Sequence, residues 1–144
     1  MSYPNYSNSP SETADLFTEA PIVYGGFWER FGAAFLDGLI LIIPNYLVLF
    51  LAGDIIGNVL SLVMSWLYYA FLESGMAQAT LGKRAMGLKV ITTDGQKISF
   101  GQASGRYFGK ILSAIILLIG YLMMIWDDKK QTLHDKIANT LVVK

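Results

Sequence analysis

Apolar positions dominate two long runs of this chain. Residues 31–51, FGAAFLDGLILIIPNYLVLFL, are almost wholly apolar and contain one carboxylate, Asp37. At about 1.5 Å per residue such a run covers the roughly 30 Å hydrocarbon core of a bilayer. A membrane helix is therefore predicted from about Trp28 to Leu51, with a kink where Pro44 removes a backbone hydrogen bond to Ile40. Ala52-Gly53-Asp54 leaves room only for a tight turn, with Asp54 placed to cap the next helix. Residues 55–72 form a second apolar run, returning antiparallel to the first. Its polar residues Asn58, Ser61, Ser65, Tyr68 and Tyr69 recur at offsets of three or four and share one helical face. In lipid that face belongs toward other protein.

The pattern then changes. Residues 73–97 are polar, with Gly75 and Gly82 interrupting any helical period. Residues 88–93 and 96–99 flank Asp94-Gly95, the favoured two-residue turn, and read as a β-hairpin. Residues 139–143 (NTLVV) are a third strand-like run. Two strands alone are marginal, so this run is expected to pair with the hairpin. Ser99 and Gln102 match a capping box at the start of a third helix. That helix carries Gly101, Gly105, Gly109 and Ser113 at steps of four, a stripe that would let a second helix approach closely. Arg106 and Lys110 lie on another face, from which they could snorkel to phosphates. The apolar part, residues 111–126, is short for a span. It either crosses with its basic first turns or re-enters as a hairpin bending near Gly120. The fold expected is an all-α membrane protein with three hydrophobic helical segments, the third spanning or re-entrant, and a small cytoplasmic β-hairpin or strand element.

Composition and charge sharpen this. Hydrophobic residues make up 53% of the 144 and charged residues 15%, which favours a membrane protein over a soluble domain. Net charge is zero, so nothing points to nucleic acid. The absence of cysteine removes thiolate chemistry and Cys-based metal sites, and the single histidine cannot build a zinc site alone. Residues 1–22 read as a disordered tail and 23–144 as the membrane domain. The tail lacks the basic start and apolar run of a secretory signal; a peptide around Leu16 and Phe17 is its alternative role, for binding a partner. Tyr24, Phe27 and Trp28 suit the headgroup level. All eleven Lys and Arg avoid the first turn, which places the N-terminus and residues 73–110 in the cytoplasm. Lys129, Lys130, Lys136 and Lys144 join them there only if the third segment re-enters.

The candidate chemistry starts from Asp37. A carboxylate in the hydrocarbon core costs roughly 2.5–3.5 kcal/mol unless it is compensated. It serves either as a proton or cation site or as a buried contact fixing helix register. Arg30 lies two turns away, but side-chain directions argue against a direct pair within the helix. Matching depths on antiparallel helices brings Asp37 beside Ser65 to Tyr69, with Lys83 or Arg84 in reach. Asn45 falls near Asn58 and Ser61, extending a polar seam or pore lining through Asn45, Asn58, Ser61, Ser65 and Tyr68. Arg30 is then free to pair with Asp135, provided the C-terminus returns to its side. Lys83 and Arg84, with Lys89 and Lys97, read most simply as a patch for anionic lipid phosphates. Gly82-Lys83 lacks the rest of a phosphate-binding loop. His134 and Asp135 have no partner nucleophile, so no enzymatic role, cofactor or metal is expected.

Arg30 at the head of the first run, Asp37 within it and the late Leu133-His134-Asp135-Lys136 resemble the RDD family of membrane proteins, named for one Arg and two Asp. Residues 78–84 (QATLGKR), 87–90 (GLKV) and 135–143 (DKIANTLVV) resemble its other recurring segments, in the same order. Asp135 is the better match for the second Asp, with Asp127 and Asp128 as alternatives. Asn139 stands where the family more often has Gly. The resemblance covers residues 24–143. It implies an RDD-type domain over 23–144, in a multi-pass protein of a bacterial-type inner membrane. It also implies a transport function, with exchange of a proton or small cation attributed to some members. Three short spans could enclose a path only as a homo-oligomer. The alternative is a membrane scaffold or assembly factor that transports nothing.

Overall fold

The computed structural model describes residues 21–116 and 119–144; of the tail expected over residues 1–22, residues 1–20 lie outside them. Helix α1 is Phe27–Ala52 and α2 is Asp54–Ser74, joined at Gly53. Both are long and apolar enough to cross a membrane. Glu29 closes the start of α1 by accepting from the Gly26 amide at 2.9 Å. Helix α1 runs through Pro44 without interruption. Asp54 is the first residue of α2 and makes no side-chain cap, so its carboxylate acts only through the helix dipole. Most large apolar side chains of α1 and α2 point outward, Ile43 and Phe50 among them. That arrangement suits a lipid surround and is inside-out for water.

The short helix α3, Leu81–Ala85, comes next, with Thr80 capping it through the Lys83 amide. Strand β1, Lys89–Thr92, pairs antiparallel with β2, Thr140–Val143, in register Val90↔Val142. The pairing with the C-terminus matches expectation; the hairpin does not. Its second arm shrinks to one bridge, Ile91↔Lys97. The turn closes through Thr92 N to Gln96 O at 2.8 Å, with Gly95 at φ 80°. It thus takes three residues, Thr93 to Gly95, with glycine in the left-handed position, instead of two. The arm carrying Lys97 then leaves the sheet directly for the Ser99 cap of the next helix.

Helix α4, Phe100–Ile115, opens on the predicted Ser99/Gln102 capping box. Its axis and that of residues 119–125, helix α5 (Ile119–Leu122) plus a 3₁₀ turn, meet at 116°. The break lies between Ile115 and Ile119, near Gly120 as expected. Gly120 is the contact point of the fold-back: a Cβ there would sit 2.7 Å from Ser113 Cβ. Helix α6, Leu133–Ile137, then leads into β2. A small core of Ala33, Ala70, Leu88, Val90, Ile98, Ala103 and Val142 ties the sheet to α1, α2 and α4. The end of the chain thereby lies beside the beginning of α1, where Tyr24 bridges Val143.

Candidate functional site

Asp37 is 1% exposed and accepts three hydrogen bonds. Tyr68 Oη from α2 donates at 2.8 Å, Thr80 Oγ1 at 2.6 Å, and the Gly82 amide at 2.8 Å. Depth-matching predicts Tyr68; the other two donors come from the segment expected to offer Lys83 or Arg84. Gly82 is what lets that segment close in. A Cβ there would lie 2.1 Å from Ala33 O and 2.8 Å from Asp37 Cγ. The Gly82-Lys83 step thus serves a carboxylate of its own chain.

Lys83 is not on the surface as a lipid-phosphate contact. It is buried, with its ammonium on Glu73. Burial is the dominant influence and lowers Lys83 to about 7, with Lys110 and Arg106 adding to the effect; the adjoining Glu73 only partly opposes them. Arg84 alone of the pair is exposed.

Arg106, read from the sequence as a snorkelling cation, is likewise 1% exposed. Helix α4 turns Ala103, Arg106, Gly109 and Ser113 inward as one face. Arg106 Nε donates to Glu73 Oε2 at 3.0 Å, and Nη1 donates to Asp135 and to Thr140 Oγ1, the latter at 2.5 Å. Arg30 Nη1 meets the other Asp135 oxygen at 2.5 Å, the pairing that required the C-terminus to return. Burial alone would raise Asp135; the Arg106 and Arg30 guanidiniums overrule it and hold the carboxyl well below its usual range. Lys110 stands 3.8 Å from Glu73 and 4.1 Å over the Tyr69 ring. Four cations therefore surround two carboxylates, Glu73 and Asp135, while the three donors on Asp37 are all neutral.

The polar seam is shorter than the sequence suggests. Asn45 Nδ2 reaches Ser65 Oγ at 3.4 Å and Ser61 Oγ reaches Asn45 O at 3.5 Å. Asn58 is exposed and bonds back to Asp54 O, away from Asn45. The glycine stripe is split as well: Gly109 packs inside the molecule, where a Cβ would fall 2.9 Å from His134 Cβ, whereas Gly105 meets nothing within 4 Å.

Beside this network is a cavity of about 450 Å³ bounded by α1, α4, α5 and α6. Asp37, Lys83, Arg106, Lys110 and His134 line its polar side, and Phe31, Ala34 and Leu122 its apolar side. His134 Nε2 lies 3.0 Å from Thr132 Oγ1 while Nδ1 is buried without a partner among the described residues. Burial depresses the histidine well below its ordinary value and leaves it neutral. Sequence pattern alone did not single out Glu73, although an acid ending an apolar run with a polar face was a usable signal.

Comparison with known proteins gives the family. The RDD family description matches residues 24–139. The Bacillus subtilis (strain 168) protein named uncharacterized protein YxaI is 39% identical, over 82% of this chain and 95% of its own length. The uncharacterized membrane protein YteJ of the same organism is 33% identical, over 96% and 90%. A Mycobacterium tuberculosis proline-rich antigen homolog is 36% identical over 61% of this chain, which spans only 35% of that protein. No solved structure matches. With the family description matching residues 24–139 and YxaI alike over most of both chains, the chain is a membrane protein of the RDD family.

Proposed function

We propose that this chain is a multi-pass transport protein of the cell inner membrane, with both ends of its folded domain cytoplasmic. The observation that carries the transport reading is the cavity of about 450 Å³ beside buried charge. Protein interiors pack closely, and a recess of this size next to Asp37, Lys83, Arg106 and His134 supports a binding role. Small-molecule sites span roughly 300–1,000 Å³. Lys83, lowered to about 7, can exchange a proton near neutral pH, and Asp37 on the same wall is held by neutral donors alone among the described residues. Proton-linked movement of a solute is the activity these groups support. Exchange of a small cation finds less support, because Arg30, Lys83, Arg106 and Lys110 all line the cavity and would repel it. A single chain does not enclose a path, so the transporting unit is a homo-oligomer, for which Gly101 and Gly105 remain open.

The cytoplasmic assignment rests on charge. Most of the Lys and Arg side chains gather at the end of the molecule where α1 begins, and the Gly53 turn at the opposite end has none.

A scaffold that transports nothing is the second reading, favoured by the way Glu73 and Asp135 knit α1, α2, α3, α4 and α6 together. Liposomes loaded with a pH-sensitive dye separate the two. Wild type should show proton flux when a sodium, potassium or phosphate gradient is imposed, and Asp37→Asn, retained as a folded protein, should lose it. Absence of flux under every gradient would favour the scaffold; undiminished flux in the folded variant would remove Asp37 from the coupling.

A further inference from the structure

Two features of the cavity concern its ligand. The first is its mouth. Phe31, Ala34, Ala114 and Leu122 line the cavity and are all exposed, Phe31 by 58%. They belong to α1, α4 and α5, whose outer faces carry apolar side chains suited to lipid. The apolar border of the cavity therefore lies between α1 and the fold-back, on helices whose apolar side chains suit lipid.

The second feature is the far wall. There the cations outnumber the carboxylates that hold them. Glu73 and Asp135 are shared by Arg30, Lys83, Arg106 and Lys110, and Asp37 lies on the same wall, so four cations face three carboxylates. Lys110 makes no hydrogen bond shorter than its 3.8 Å approach to Glu73 among the described residues, and so has capacity to spare. His134 Nδ1 is buried, unpartnered, on a residue 4% exposed that lines the same space. In the tautomer where Thr132 donates to Nε2, Nδ1 carries the proton and offers a donor. A wall with one cation in excess and two donors to spare, Lys110 and His134 Nδ1, beside an apolar border is complementary to one kind of molecule.

We propose that this cavity binds an anionic membrane amphiphile, with its hydrocarbon chain in the mouth between α1 and α5 and its phosphate or carboxylate head against Lys110, Arg30 and His134. The inference rests on the same cavity as the transport proposal and adds the ligand's chemical class. A free anion would have to cross the apolar mouth without its hydration shell. An uncharged lipid would leave the positive wall unanswered. The volume accommodates the head and the first part of a chain, with the remainder lying in the bilayer.

The test is binding to the purified full-length protein in a neutral detergent, followed by native mass spectrometry, with dodecyl phosphate, dodecanoate, dodecanol and inorganic phosphate as probes. Dodecyl phosphate or dodecanoate should bind about tenfold or more tightly than dodecanol, as expected for charge-assisted contacts in a dry site. Whichever of the two binds tighter identifies the head. Inorganic phosphate should not displace either. Lys110→Gln should weaken the anionic probe about tenfold while Lys110→Arg retains it. Ala34→Trp, which fills the mouth from α1, should weaken every chain-bearing probe; circular dichroism checks that each variant is folded. Equal binding of dodecanol would overturn the anionic head, and displacement by inorganic phosphate would make the ligand a free anion. Binding unaffected by both Lys110→Gln and Ala34→Trp would put the amphiphile elsewhere. The assay needs no flux: binding without flux would retain this proposal and reject transport, and flux without binding would do the reverse.

Discussion

At the scale of single residues, Asp37 shows how a membrane carboxylate is satisfied without a counter-ion. Its donors are Tyr68 Oη, Thr80 Oγ1 and the Gly82 amide. Thr80 is fully buried, and its hydroxyl also accepts from the Lys83 amide. Thr80→Val keeps the shape and removes both functions. It should destabilise by about 2–4 kcal/mol, since a hydrogen bond to a charged group contributes roughly 1.5–3 and an orphaned amide adds to the loss. Tyr68→Phe should cost less, because Tyr68 is only part-buried and water can replace it. Thermal unfolding in detergent, ranked for the two variants, checks this; equal losses would contradict it. Lys83 gives a pH dependence. Its folded value of about 7 lies below its ordinary 10.5. Between those values the unfolded chain binds more protons than the folded one, so stability from this group rises with pH through that window and is lowest below pH 7. Charges facing it are Glu73 on α2, Arg106 and Lys110 on α4, and Asp37 on α1. Lys83→Met should lack the slope, so the wild type should gain on the variant between pH 7 and 9 in melting-temperature scans.

Much of this site is legible residue by residue, and the failures have physical causes. Tyr68 comes from depth-matching, which needs only helix rise and an antiparallel turn. The Arg30–Asp135 pair comes from the side-chain directions that exclude Arg30 from Asp37. Thr80 and Gly82 are invisible because they act from a loop, where no periodicity predicts direction. Lys83 and Arg106 mislead for one reason. Basic residues near an apolar segment read as lipid-facing until the acid that buries them is known, and that acid is Glu73. Asn139 occupies a position where the family more often has glycine; its φ of 51° explains both residues, since this is a left-handed position that Asn tolerates and glycine prefers.

At the scale of elements, α4 is the keystone. Its predicted cap forms, but its inward face carries an arginine in place of an apolar residue. Arg106 there links Glu73 of α2 with Asp135 of α6 and Thr140 of β2. Removing one member of a buried ionic network leaves the others uncompensated, typically at about 3–5 kcal/mol. Arg106→Met, which keeps length and apolar bulk, should lose about that much and detach the C-terminal elements before the membrane helices. Limited proteolysis should then cut first among residues 127–132, with α1 and α2 remaining protected. Simultaneous loss of all elements would show that α4 does not hold the C-terminal unit separately. The β1–β2 pairing depends on the same residue: Thr140, the first residue of β2, is buried against Arg106, so strand and helix order together.

For the whole molecule, the arrangement of its ends is decisive. After α4 the chain turns by 116°, and α6 and β2 come back to the start of α1. Lys144 N donates to Val23 O at 2.9 Å, and Lys144 Nζ reaches Glu29. A straight third span would separate these groups by the membrane thickness, roughly 30 Å. It would leave Asp135 on one side and Arg30 on the other. The pairing energy of the buried cluster therefore opposes a straight crossing, and the lysines after Trp126 oppose it independently through the positive-inside bias. Cysteines introduced one at a time at positions 22, 54 and 144 into this cysteine-free chain report the arrangement directly. With a membrane-impermeant thiol reagent applied to intact cells, only position 54 should label; after permeabilisation all three should. Labelling of 144 but not 22 from outside would break the Arg30–Asp135 contact, the sheet and the cavity's polar wall together, because every one of them requires both ends of the folded domain on one face of the membrane.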